Sequence, residues 1–189
     1  ELRRCVDGEW KMVPWDWKPH PIIAINLTSI AASSKEELFD ELLRELYVIS
    51  KQFDLTLIAK HPISAFKELI NKVHATLGAP VLLIDEYDSP LLNALNNKTI
   101  FDEIRDLLNS FFSVTKGLND KLALTFFTGI AHANQVSIFS GMNHVDDITD
   151  TPAYSAVCGY TQEELEINFS DFIMWRAQER EMTTDAFKE

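Results

Sequence analysis

The sequence has few of the residues on which many small functional sites depend. Its two cysteines, Cys5 and Cys158, lie too far apart for the short spacing of a zinc site. We expect free thiols in a reducing, cytoplasmic compartment, and one disulfide between them is the open alternative. Lysine and arginine number 17 against 29 aspartates and glutamates, for a net charge of -12. Because binding a phosphate backbone needs clustered cations, we expect no direct nucleic acid contact.

Several motifs are also missing. No apolar run approaches the roughly 18 residues of a membrane-spanning helix, so we expect no membrane partner. The five histidines show no metal-ligand spacing. Asp146, Asp147 and Asp150 lack the pattern of a calcium loop, and no Gly-x-Ser-x-Gly motif occurs. None of the six glycines is followed by Lys and then Ser or Thr, so this chain contains no phosphate-binding P-loop.

Strand-like and helix-like segments alternate along the chain. Short apolar runs rich in β-branched residues predict strands over residues 22–27, 81–85 and 122–130. Apolar residues at helical spacing predict helices over about 34–52, 62–77, 99–116 and 161–180. This order is typical of an α/β fold with a mostly parallel sheet and flanking crossover helices.

Both ends of the chain are less regular than its middle. Residues 1–21 are rich in tryptophan and proline, and we expect an edge segment packed on the sheet rather than a stacking platform. Periodicity fades over residues 131–159, where only a short strand over 145–148 is predicted. The last helix is predicted to bury three of its side chains, Leu165, Phe169 and Phe172.

The strand over residues 81–85 ends in two adjacent carboxylates, Asp85 and Glu86. Its apolar run predicts burial on both faces, and ligands bind outside the carboxyl ends of parallel strands. Such a strand followed by Asp-Glu is the Walker B pattern, in which the Asp holds Mg²⁺ and the Glu polarises the attacking water. Thr128 ends the next strand, where the sensor 1 residue of such ATPases helps position that water. The alternatives are that these carboxylates, or Asp88, cap a turn or helix and that Thr128 belongs to a Thr-Gly turn.

Four ordered segments together resemble one protein family. They are residues 81–92 (VLLIDEYDSPLL), 128–130 (TGI), 136–143 (VSIFSGMN) and 154–165 (YSAVCGYTQEEL). The set resembles the AAA-ATPase-like family, in which many members carry a C-terminal PD-(D/E)XK nuclease-like domain. The resemblance covers about residues 20–172. It implies a P-loop NTPase-like α/β fold of the additional-strand class, incomplete at its N-terminus.

The resemblance also implies roles for individual residues. Asp85 would bind Mg²⁺, Asp85 and Asp88 would contribute to nucleotide binding, and Glu86 and Thr128 would be catalytic. ATP and Mg²⁺ are the expected cofactors of the intact domain. Nucleotide is its expected ligand, and its protein partners are unknown.

The chain departs from the family pattern in three ways. The family's P-loop would lie before Glu1 and the nuclease-like domain after Glu189, so we expect this chain to be a fragment. Residues 1–189 would form one partial domain, and residues 161–180 would be the start of its C-terminal helical part. After Thr-Gly the family usually has lysines, whereas this chain has His132 and Gln135. Two functions are compatible with these features. One is an ATPase that is inactive as this fragment, and the other is a degenerate interaction or regulatory module, possibly one that controls a fused nuclease-like domain.

Overall fold

The chain divides into two compact units, Glu1–Val145 and Asp146–Glu189. The structure, a computed structural model, describes residues 2–6, 9–13, 18–28, 30, 32–130, 138–139, 142–157, 159–183 and 185. No helix within these described ranges is long and apolar enough to cross a membrane.

The first unit contains a three-stranded parallel sheet. Its strands are β3 (Ile22–Asn26), β4 (Val81–Asp85) and β5 (Leu124–Phe127), in the order β3-β4-β5. The register pairs Asn26 with Asp85 and Ile84 with Phe127, so the carboxyl ends of the strands lie together. This arrangement confirms the predicted α/β fold with a parallel sheet, although β5 is shorter than the predicted strand.

Helices make the crossover connections between these strands. Between β3 and β4 lie α1 (Lys35–Gln52) and α2 (Pro62–Leu77). Between β4 and β5 lie α3 (Ser89–Asn93), α4 (Lys98–Phe112), α5 (Val114–Gly117) and a 3₁₀ turn (Asn119–Lys121). The predicted helix over 99–116 is therefore two helices with Ser113 between them. The start of α1 is as predicted, since Ser34 Oγ accepts the Glu37 N–H at 3.2 Å.

The core lies on one face of the sheet. Ile23 and Ile25 of β3 are buried, as are Leu82 and Ile84 of β4. The alternate positions are exposed in β3 and half-buried in β4, so the prediction that β4 is buried on both faces is wrong for the described chain. The physical reason is that α1, α2 and α4 pack against one another and so form a single layer.

The N-terminal segment forms a separate hairpin. Its strands, β1 (Leu2–Val6) and β2 (Glu9–Val13), pair antiparallel with each other and do not extend the three-stranded sheet. Near the other end of the first unit, no strand forms over 145–148. There the Val145 N–H closes a turn onto the Met142 carbonyl oxygen at 3.2 Å. That strand prediction was wrong because a turn supplies the local hydrogen bonding.

The described part of the second unit contains a 3₁₀ turn (Pro152–Tyr154) and the helices α6 (Gln162–Asn168) and α7 (Ser170–Glu179). The capping box of Thr161 and Glu164 is present as the sequence predicts. The single predicted helix is interrupted at Phe169. Leu165, Phe169 and Phe172 are 37%, 47% and 55% exposed, so the prediction that they face inward is wrong. Within the described part of this unit, no apolar layer covers them.

Candidate functional site

Polar side chains meet at the carboxyl ends of the three parallel strands. Asp85 is the last residue of β4, Asn26 is the last residue of β3, and Thr128 directly follows β5. Thr128 Oγ1 donates a hydrogen bond to Asp85 Oδ1, and Asn26 Nδ2 donates one to Asp85 Oδ2 at 3.4 Å. Each carboxylate oxygen of Asp85 therefore accepts a hydrogen bond from a neighbouring strand.

Asn26 is the member of this group to which the sequence assigned no role. Its Oδ1 accepts the Thr28 N–H at 2.8 Å, which leaves the Nδ2 donor to face Asp85. Asn26 and Asp85 are 59 positions apart, and only the parallel register places them side by side. The available sequence signal was a polar residue at the end of a predicted strand.

Glu86 lies where the chain leaves β4. It is half-buried, and its φ of 54° is in the left-handed region. A non-glycine residue there costs about 1–3 kcal/mol and persists only where the surroundings hold it. On either side the chain is held by backbone bonds: the Asp85 carbonyl accepts the Leu27 N–H, and the Tyr87 N–H donates to the Thr128 carbonyl, both at 3.0 Å.

Asp88 lies one turn beyond the acidic pair and is fully buried. Its Oδ2 accepts the Ile130 N–H at 3.0 Å. Asp88 also precedes α3, and its carbonyl oxygen accepts the Leu91 and Leu92 N–H groups at 2.9 and 3.0 Å. Its side chain makes no capping hydrogen bond to that helix. The buried carboxylate therefore links the acidic loop to the segment that follows β5.

Gly129 allows these two segments to approach each other closely. A β carbon at this position would lie 2.6 Å from Asp88 Oδ1 and 2.6 Å from Tyr87 Cε1. Both contacts are shorter than real β carbons make, so the turn needs glycine here. The Thr-Gly turn and the bond from Thr128 to Asp85 thus occur together.

An aromatic cluster packs against the acidic loop. Tyr87, which is 5% exposed, makes edge contacts with Phe127 and Phe139, with ring centroids 6.5 and 4.9 Å away. Phe112 contacts both of these phenylalanines, at 5.4 and 6.1 Å. Such packing supports the backbone between Asp85 and Asp88 by anchoring Tyr87.

The donor set at the strand ends fits a hard cation. Mg²⁺ is usually bound by one or two carboxylates together with waters and substrate phosphates, so the exposed Asp85 carboxylate is a suitable ligand. No cluster of three His, Cys, Asp or Glu side chains suited to a metal occurs in the described part of the chain.

The remaining features either lie apart from the strand ends or fall outside the described residues. A shallow groove between helices α2, α4 and α5 includes none of the strand-end residues. His132, Gln135 and Cys158 lie outside the described residues, as does the side chain of Cys5. The interpretations of the missing lysines and of the free thiols therefore stay predictions.

Comparisons with known proteins agree with the resemblance seen in the sequence. The family described as "Predicted AAA-ATPase" matches residues 9–139. A protein of Azotobacter chroococcum mcd 1, named "Uncharacterized protein in vnfD 5'region", is 32% identical over 158 residues, which make up 82% of this chain. The chain spans 31% of the length of that relative. No solved structure is significantly similar to this chain. By the extent of the family match, the chain belongs to the predicted AAA-ATPase family.

Proposed function

We propose that these residues form the magnesium- and water-positioning edge of an ATPase, and that the full-length protein hydrolyses ATP. The observation that carries the proposal is the hydrogen bond from Thr128 to Asp85 across two neighbouring strand ends. Family membership supports the same class of reaction. In parallel sheets, this edge is where ligands bind.

In this proposal each strand-end residue has its own role. Asp85 holds Mg²⁺, directly or through a water molecule, and Mg²⁺ when bound offsets the negative charge of the phosphate oxygens. Glu86 accepts a proton from the water whose oxygen attacks the γ-phosphorus. The bond between that phosphorus and the leaving oxygen breaks, giving ADP and inorganic phosphate. Thr128 orients Asp85 and the attacking water.

The phosphates need a cradle that these 189 residues do not contain. No Gly-x-x-x-x-Gly-Lys-Ser/Thr segment occurs in the sequence. Backbone N–H groups and a lysine from residues outside this sequence would therefore bind the β- and γ-phosphates.

Substitution of Glu86 tests the role of the base. In the full-length protein, Glu86→Gln should keep MgATP binding and lower the hydrolysis rate roughly 10²- to 10⁴-fold, since glutamine cannot accept the proton. Glu103→Gln is the matched control, because Glu103 is an exposed acid on α4. The hydrolysis rate is measured from the phosphate released, and MgATP binding is measured by equilibrium dialysis. Equal rates for the two variants would remove Glu86 from the mechanism.

A second candidate is a degenerate module that binds protein partners without turning over nucleotide, including one that regulates a nuclease-like domain. It is favoured by apolar residues on the face of the sheet opposite the core, where Ile22 and Leu124 are 54% and 53% exposed. A full-length protein that binds no MgATP would support this function. One that hydrolyses ATP would rule it out.

A further inference from the structure

We propose that Asp88 is a positioning residue that keeps Thr128 against Asp85, and that it is not a ligand of the nucleotide or of Mg²⁺. This inference rests on the proposed function and refines it. It assigns Asp88 a role distinct from the nucleotide binding that the family resemblance implies.

The burial of Asp88 separates it from Asp85. Asp85 is exposed at the strand end, whereas Asp88 is 0% exposed. One oxygen of Asp88 already accepts the Ile130 N–H at 3.0 Å. A carboxylate with no exposed surface cannot meet a ligand that arrives from solvent unless the turn packed against it first moves.

The hydrogen bond between Asp88 and the Ile130 N–H holds the end of the short turn formed by residues 128–130. The near side is held by backbone bonds, in which the Thr128 N–H donates to the Ile84 carbonyl at 2.9 Å and the Thr128 carbonyl accepts the Tyr87 N–H at 3.0 Å. Thr128 is therefore attached on both sides, by β4 before the turn and by Asp88 after it. Release of the second attachment frees the turn to move the Thr128 hydroxyl away from Asp85.

Close contact at Gly129 shows that the turn and the acidic loop fit together without spare room. The position of a β carbon there would be 2.6 Å from Asp88 Oδ1. The Asp88 carboxylate thus packs directly against the turn. Its shape and its acceptor oxygen therefore determine the position of Thr128 relative to Asp85. An asparagine has the same shape and also offers an acceptor oxygen, but it lacks the charge that a metal ligand would supply.

This difference gives a test in the full-length protein with Asp88→Asn, Asp88→Ala and Asp85→Asn. Asp88→Asn should keep the KM for ATP and the Mg²⁺ concentration that gives half the maximal rate, and it should lose much less kcat than Asp88→Ala. Asp88→Ala should lower kcat roughly 10- to 100-fold with an unchanged KM, because misplaced catalytic groups slow the reaction without weakening substrate binding. Asp85→Asn should raise the Mg²⁺ requirement.

Amide hydrogen exchange gives a second readout that does not depend on activity. A peptide covering residues 124–130 should exchange faster in Asp88→Ala than in the wild-type protein, and Asp88→Asn should restore slow exchange. If Asp88→Ala does not fold, Asp88→Asn still decides, because a ligand role requires it to raise the Mg²⁺ requirement as Asp85→Asn does.

Three results have definite meanings. A raised Mg²⁺ requirement in Asp88→Asn would overturn the inference, as would unchanged exchange over residues 124–130 in a folded Asp88→Ala protein. A wild-type protein that hydrolyses no ATP would overturn the proposed function instead. Hydrogen exchange would then decide separately whether Asp88 holds the turn.

Discussion

Replacing Gly129 with alanine places one extra carbon at the closest approach between the two segments that build the candidate site. The added β carbon would lie 2.6 Å from Asp88 Oδ1 and from Tyr87 Cε1, and 2.9 Å from Tyr87 Cδ1. Asp88 and Tyr87 are 0% and 5% exposed, so neither side chain can swing into solvent to make room. The turn itself must therefore shift.

The size of the effect follows from two opposing contributions. Inserting a carbon into a closely packed site costs about 1–3 kcal/mol. Replacing glycine by alanine stabilises the folded state by about 0.4–1 kcal/mol, because the unfolded chain loses conformational freedom. We therefore expect a net loss of about 1–2 kcal/mol in the free energy of unfolding. For a chain of this size that corresponds to a melting temperature lower by about 2–8 °C.

Urea and thermal unfolding followed by circular dichroism measure this loss, with Gly117→Ala as the matched control. Gly117 ends α5, and a β carbon there would meet no atom within 4 Å. Alanine at position 117 should therefore be neutral or slightly stabilising. If Gly129→Ala were as stable as Gly117→Ala, the close packing of the turn on Asp88 and Tyr87 would be refuted.

Two further predictions concern the packing of the first unit. The pKa of His144 is lowered by burial and by nearby Lys116, so stability should decline as the pH falls below the ordinary histidine value of 6.5, where the unfolded chain takes up the proton first. His144→Gln should reduce that decline in urea midpoints measured on either side of this pH, and an unchanged decline would assign it to other groups. Leu82→Ala should cost about 2–5 kcal/mol, because its side chain is fully buried in the core. Leu83→Ala, on the opposite face, should cost less in the same urea titration, and an equal loss would show that both faces are packed alike.

Several features of this protein could be predicted because their causes are local. The helices α1 and α2 follow from capping residues and from apolar side chains at helical spacing, such as Leu38 and Leu42 in α1. The strand β4 follows from a run of branched apolar residues. The placement of Asp85 and Thr128 at one sheet edge could also be predicted, because each follows or ends a predicted strand and the carboxyl ends of parallel strands meet at one edge.

Other features could not be predicted because they depend on which layers are present. The apolar run of β4 is compatible with one or two covering layers, and in the first unit α1, α2 and α4 pack together as one layer. In the second unit, the spacing of Leu165, Phe169 and Phe172 matched a buried helical face. In the structure the helix is interrupted at Phe169 and all three side chains are exposed.

The sequence by itself determined the order of strands and helices between β3 and β5, the acidic pair at the end of β4 and membership of an ATPase-like family, since each depends on neighbouring residues or ordered motifs. Only the tertiary structure decided the partners of that pair. Asn26 reaches Asp85 across 59 positions, and Asp88 binds Ile130 across 42, because parallel pairing and a turn held close by Gly129 bring distant segments together. Contacts of this kind arise from how strands align in space, which local pattern does not encode.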